Sequence, residues 1–135
     1  MASMALISAI PALADSDKPD KSGRKGYLKS DLIDTSRTNI YNRDGTSKGY
    51  LKEDNLFENR KNIYDKDGKK RGYLEKDKLF DDRTNIYDSE GRKKGYIKDD
   101  LLDEDKTIIY YRDGHKKGYL EKDSLFDDRL NIYND

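Results

Sequence analysis

The sequence predicts an all-β fold, an array of five 23-residue β-hairpin repeats in an open β-solenoid or single-layer sheet. A closed ring, with the two end strands paired, is the alternative. Three observations carry this. Gly26-Tyr27, Gly49-Tyr50, Gly72-Tyr73, Gly95-Tyr96 and Gly118-Tyr119 recur every 23 residues, each followed by Leu or Ile. A second pair, Ile40-Tyr41, Ile63-Tyr64, Ile86-Tyr87, Ile109-Tyr110 and Ile132-Tyr133, recurs in the same phase. Four units then turn at Gly45, Gly68, Gly91 and Gly114, each preceded by Asp or Glu. A strict period of this length marks one supersecondary unit stacked on copies of itself. The units are 25–47, 48–70, 71–93, 94–116 and 117–135.

Residues 1–14 precede the repeats. "MALISAIPALADS" is an apolar run ending in Ala12-Leu13-Ala14, the small-residue pattern of a signal-peptidase site. It reads as a signal-peptide remnant, which implies a secreted, periplasmic or cell-envelope protein. The run is far below the ~20 residues of a membrane span. Residues 15–24 are a polar linker by their Pro, Gly, Ser and charge.

Charged residues make up 41% of the chain and hydrophobic ones 33%, a balance that on its own suggests disorder. Zero net charge and eleven Tyr, nearly all in register, argue for order instead. With no basic excess to displace counterions, nucleic acid is not expected as a partner. Lys alternates with Asp and Glu along the chain rather than forming a stripe. There is no Cys, so neither a disulfide framework nor a thiolate metal site is available.

Within a unit, Asp-Gly between two β-prone runs is a strong hairpin signal, because a type I′ turn wants positive φ. With Asp67-Gly68 at the centre of that turn, Tyr64 faces Arg71, Ile63 faces Gly72 and Asn62 faces Tyr73. Alternation then puts Ile63, Gly72 and Leu74 on one face, Tyr64 and Tyr73 on the other. A three-residue loop with a bulge would instead mix Tyr with Leu.

The connectors between hairpins hold one apolar pair each: Leu56-Phe57, Leu79-Phe80 and Leu125-Phe126, shifted back by one and without Phe in "DLIDTSR" and "DLLDEDK". A single-layer sheet must cover its apolar face, so these pairs are expected to fold under it. The first unit starts on the second strand of a hairpin and the last stops on a first strand. Those orphan strands close a ring, pair with neighbouring molecules or stay frayed.

The pattern I-Y-D-x-D-G-x-x-x-G-Y-L, and above all Thr107 to Asp123 ("TIIYYRDGHKKGYLEKD"), resembles the choline- and glucan-binding cell-wall repeats. MORN repeats share the period, the hairpin and the alternation of Tyr and Gly. The resemblance spans residues 25–135. It implies a hairpin array with a surface for envelope polymers. It departs from the cell-wall repeats in having no Trp, on which their cages are largely built, so it does not extend to choline.

The candidate ligand-binding residues are Tyr27, Tyr50, Tyr73, Tyr96 and Tyr119, with Tyr41, Tyr64, Tyr87, Tyr110 and Tyr133 on the partner strand. Ladders of such amphipathic rings stack on sugars and hold cations, although cross-strand aromatic pairs also simply stabilise sheets. No metal site is expected. Placing Gly68 at position 6 of an EF-hand loop puts Ile63 at position 1, and turn chemistry accounts for the Asp residues. A carboxylate ladder of Asp31, Asp54, Asp77, Asp100 and Asp123 is the remaining metal geometry, and is not favoured. Arg37, Arg60, Arg83, Lys106 and Arg129 share one place in the unit, near carboxylates such as Asp81-Asp82 and Asp127-Asp128. The only His, His115, sits in a turn without counterpart, and no catalytic residue or cofactor is assigned. The expectation is a non-enzymatic module that binds envelope or extracellular polysaccharide multivalently. The alternative is a scaffold that self-associates, or binds other proteins, through unpaired terminal strands.

Overall fold

The computed structural model describes residues 23–134. The signal-peptide reading and most of the linker therefore lie outside the described residues. The described residues form ten strands in chain order: β1 (Arg24–Ser30), β2 (Arg37–Asn42), β3 (Ser47–Glu53), β4 (Arg60–Asp65), β5 (Lys70–Lys76), β6 (Arg83–Asp88), β7 (Lys93–Asp99), β8 (Lys106–Tyr111), β9 (Lys116–Lys122) and β10 (Arg129–Asn134). All are antiparallel to their neighbours, and β1 pairs with β10, so the sheet is a closed barrel. The open solenoid is thus corrected to the closed alternative.

The seam keeps the phase of the repeat. At the seam, Ile132 faces Gly26, Asn131 faces Tyr27 and Leu130 faces Leu28. Inside a complete hairpin, Ile63 faces Gly72, Asn62 faces Tyr73 and Lys61 faces Leu74. The two half-hairpins at the chain ends pair as a fifth hairpin that lacks its turn. No terminal strand edge remains open, which removes the liability that free edges carry.

The turn differs from the expected type I′. Among the described residues none other than glycine has positive φ, whereas Gly68 sits at 83°. The Gly68 N–H donates to the Asp65 carbonyl at 3.0 Å, and the Asp65 N–H to the Lys69 carbonyl at 3.0 Å. Lys66-Asp67-Gly68 is therefore a three-residue loop, and Tyr64 faces Lys70 rather than Arg71. A bulge at Arg71 then restores the pairing of Ile63 with Gly72. Loop and bulge offset the register by one residue in opposite senses. The sorting of Tyr from Ile and Leu survives although the turn type does not.

Alternation sends one apolar side chain of each Gly-Tyr-Leu or Ile-Tyr motif inward. Leu28, Ile40, Leu51, Ile63, Leu74, Ile86, Ile97, Ile109, Leu120 and Ile132 form a single cluster, each at most 4% exposed. Each strand gives this layer one side chain. Gly49 and Gly72 lie on the same inner face. A Cβ at Gly72 would run into the carbonyl oxygen of Tyr87, so strands β5 and β6 approach as they do only because the residue is glycine.

The connector pairs do not plug the sheet. Leu56, Leu79 and Leu125 are 82–86% exposed and their Phe neighbours about half exposed. Leu32, Ile33, Leu101 and Leu102 are more than 80% exposed. A closed barrel supplies its own cover: the inner faces of its walls bury one another, and the ten-residue layer fills the centre. Connector side chains are left at one end, outside.

Candidate functional site

The outer wall carries the ten Tyr residues singled out by the repeat. They are brought together as five cross-strand pairs: Tyr27–Tyr41, Tyr50–Tyr64, Tyr73–Tyr87, Tyr96–Tyr110 and Tyr119–Tyr133. Ring centroids lie 4.9–5.0 Å apart with planes inclined by 20–25°. Each pair joins two strands linked by a connector, and the rings stand opposite one another in the ladder.

A cation from the preceding unit covers the first ring of each pair. The Arg37 guanidinium carbon lies 3.7 Å from the Tyr50 centroid, Arg60 4.2 Å from Tyr73 and Arg83 4.3 Å from Tyr96. The Lys106 ammonium lies 4.6 Å from Tyr119. Arg129 completes the circle 4.4 Å from Tyr27. Since 5 Å between rings leaves no room for a guanidinium, the cation takes the face away from the partner ring. The first Tyr of each pair thus has both faces occupied, and Tyr27 is only 9% exposed.

In three units the cation is held from both sides. Phe57 lies 4.0 Å from the Arg60 guanidinium carbon, Phe80 4.4 Å from Arg83 and Phe126 4.2 Å from Arg129. This is where the connector Phe goes: onto the outside of a guanidinium, not under the sheet. Units one and four lack that cover, as their missing Phe requires. The ion-pair reading of these cations holds for Arg60, whose Nη2 lies 3.1 Å from Glu75 Oε2, and for Arg37, whose Nε lies 3.9 Å from Asp31 Oδ2. The carboxylates Asp82 and Asp128 instead meet Lys98 and Lys29.

The Asp ladder is occupied with structural bonds. Asp77 Oδ1 accepts the N–H of Leu79 at 2.8 Å and of Phe80 at 2.9 Å, and its Oδ2 accepts Asn85 Nδ2 at 2.9 Å. Asp31, Asp54 and Asp123 repeat the pattern with Asn39, Asn62 and Asn131. The Phe80 N–H, then Asn85 and the Leu79 N–H, hold the Asp77 carboxyl down to about 2. The Asp34 N–H, then Asn39 and the Ile33 N–H, do the same for Asp31. Each Asp closes its connector as a side-chain turn. The recurring Asn was the signal for this, and sequence reading passed over it. Unit four has Ile108 in that place, and Asp100 caps only the backbone.

His115 is exposed in the last Asp-Gly turn, with Nδ1 3.0 Å from Asp113 Oδ2. That carboxylate was not anticipated; the pair stands in solvent. Gly45, Gly91 and Gly114 take positive φ like Gly68.

No family model matches the chain, and no curated protein matches it. Among solved structures it is similar to an X-ray structure of a protein from Arabidopsis thaliana. The identity is 11% and the TM-score 0.47, over 89% of this chain and 88% of that one. A likeness at that level carries no argument about fold or function.

Proposed function

We propose that this chain is an exported, non-enzymatic repeat barrel that binds a repetitive glycan of the cell envelope or extracellular space. The observation that carries the reading is the ring of five equivalent Tyr-pair and cation modules on the outer wall. Hydroxyl edges beside fixed cations can hydrogen-bond sugar hydroxyls. Five weak contacts on one rigid frame add up along a repetitive ligand. Export rests on Ala12-Leu13-Ala14 alone.

The test is co-sedimentation of the full chain with insoluble cell-wall sacculi and with exopolysaccharide, against a no-glycan control. Tyr64, Tyr87 and Tyr110 are changed together to Phe, which keeps each stack and deletes its hydroxyl. Pelleting only with glycan, reduced several-fold by the triple change at unaltered melting temperature, supports the reading. A chain that stays in the supernatant in every tube overturns it.

A second reading, an interaction scaffold, is favoured by one observation. Leu56, Leu79 and Leu125 with their Phe neighbours place exposed apolar side chains at one end of the barrel. Apolar patches of this kind mark contact surfaces. Concentration-dependent sedimentation, abolished by changing the three Leu to Ser, would support this reading over the first.

A further inference from the structure

Antiparallel strands put successive connections at alternate ends of the barrel, and the charges sort with them. The Asp-Gly end, residues 24–26, 42–49, 65–72, 88–95 and 111–118, carries fourteen Lys and Arg against six Asp and Glu. The connector end, residues 29–39, 52–62, 75–85, 98–108 and 121–131, carries twelve against eighteen. The inner and Tyr layers between them are uncharged. A seven-residue strand spans about 23 Å, well beyond the roughly 8 Å Debye length. A ligand at one end therefore does not feel the other. The zero net charge, and the alternation of Lys with Asp and Glu along the chain, conceal a basic end.

One place at that end breaks the repeat. Asn42, Asp65 and Asp88 occupy equivalent positions in the first three units, and Tyr111 occupies that position in the fourth. Asp65 accepts from Arg71 Nε at 3.0 Å and Asp88 from Arg92 Nε at 3.0 Å. With Tyr in place of a carboxylate at that position, Lys117 lies over the Tyr111 ring, 5.1 Å from its centroid. Tyr111 is 46% exposed, the one large hydrophobic side chain so exposed at this end among the described residues. A cleft of about 660 Å³ opens beside it, lined by Arg92, Lys93, Lys94, Tyr111, Arg112 and Asp113. Arg92 is already engaged by Asp88 and by Glu90 at 2.6 Å. Lys94 reaches the same Asp88 only at 4.0 Å and Lys93 lies 5.6 Å from the Tyr96 centroid, so these two are held more weakly than Arg92, and Arg112 lines the cleft beside them.

We infer that this cleft binds an acidic glycan, a polysaccharide whose sugars carry carboxylate or sulfate groups. Lys93, Lys94 and Arg112 take the anionic groups, and the Tyr111 ring takes a sugar face. The inference rests on the glycan reading above and adds the charge of the ligand and the place where that charge is met. A single-stranded nucleic acid fits less well, because it needs a succession of aromatic platforms along a basic groove. This end exposes one.

The experiment measures binding of the full chain to polygalacturonate, dextran sulfate, neutral dextran and a single-stranded DNA oligomer at two salt concentrations. Two variants test the cleft: Tyr111→Asp, which restores the residue of the second and third units, and the triple Lys93→Gln, Lys94→Gln, Arg112→Gln. A control, Lys52→Gln, Lys98→Gln, Lys122→Gln, removes the same charge from the opposite end. The expected result is binding of both acidic polymers that weakens with salt. It should fall roughly tenfold in each cleft variant, about one decade for a few screened contacts, and stay unchanged in the control. Equal binding of neutral dextran with no effect of either cleft variant overturns the acidic site and leaves the glycan reading standing. Binding of no glycan at all overturns both. An equal loss in the control, or tighter binding of the DNA than of either acidic glycan, overturns the site as assigned.

Discussion

Arg129 lies over Tyr27, its guanidinium carbon 4.4 Å from the ring centroid, although the two residues stand near opposite ends of the chain. The contact repeats what Arg37 makes with Tyr50 and Arg60 with Tyr73, carried across the seam between β10 and β1. The last unit thereby covers the first, and five units make a circle.

The seam contact should be measurable in stability. Arg129→Ala removes a cation held between Tyr27 and Phe126, expected to cost about 1–2 kcal/mol. For a domain of this size that lowers the melting temperature by roughly 5–10 °C. Arg129→Lys should recover part of it, since an ammonium lacks the plane that stacks on two rings. Deleting residues 129–135 should do more. It leaves β1 and β9 with open edges, and light scattering should show aggregation absent from the intact chain.

The two kinds of glycine should respond differently to alanine. At Gly72 a Cβ meets the Tyr87 carbonyl, so the strands must part, at a cost of roughly 3 kcal/mol. At Gly68 a Cβ meets only the Tyr50 hydroxyl, at an ordinary contact distance of 3.7 Å, so the positive φ of 83° is the main penalty, about 1–2 kcal/mol. Urea denaturation of Gly72→Ala and Gly68→Ala checks the order. A larger loss at Gly68 would refute the close-approach account.

Apolar residues on the wall and on the connectors should separate just as clearly. Ile63 is fully buried, and Ile63→Ala should cost about 2–5 kcal/mol. Leu56 is 86% exposed, and Leu56→Ser should change stability by less than about 0.5 kcal/mol. A large loss at Leu56 would restore the idea that connector side chains seal the sheet.

Acid should open the connectors first. The folded-state carboxyls of Asp31 and Asp77 sit at about 2, below their unfolded values near 4. A depressed group contributes stability that is complete above the unfolded value and is lost as pH falls toward the folded one. The melting temperature should therefore be flat above about pH 5 and decline between roughly pH 4 and 2. Asp77→Asn should shrink that decline while lowering stability at neutral pH. An unchanged acid limb in this variant would count against the capping role.

The repeat itself, its 23-residue phase, the sorting of Ile and Leu from Tyr and the pairing of Ile63 with Gly72 all follow from the sequence alone. Periodicity and strand alternation are local properties, and a one-residue slip would turn the whole apolar set outward. Three things were decided only by tertiary structure. Closure depends on the twist and stagger accumulated over ten strands, which no single unit contains. The exposure of Leu56 and the stacking of Phe57 on Arg60 depend on closure, because the barrel already covers its own apolar face. The basic end around Lys93 and Arg112 depends on which connections share an end. Along the chain those cations are diluted by Asp and Glu, and in space antiparallel folding carries most of the acids to the other end.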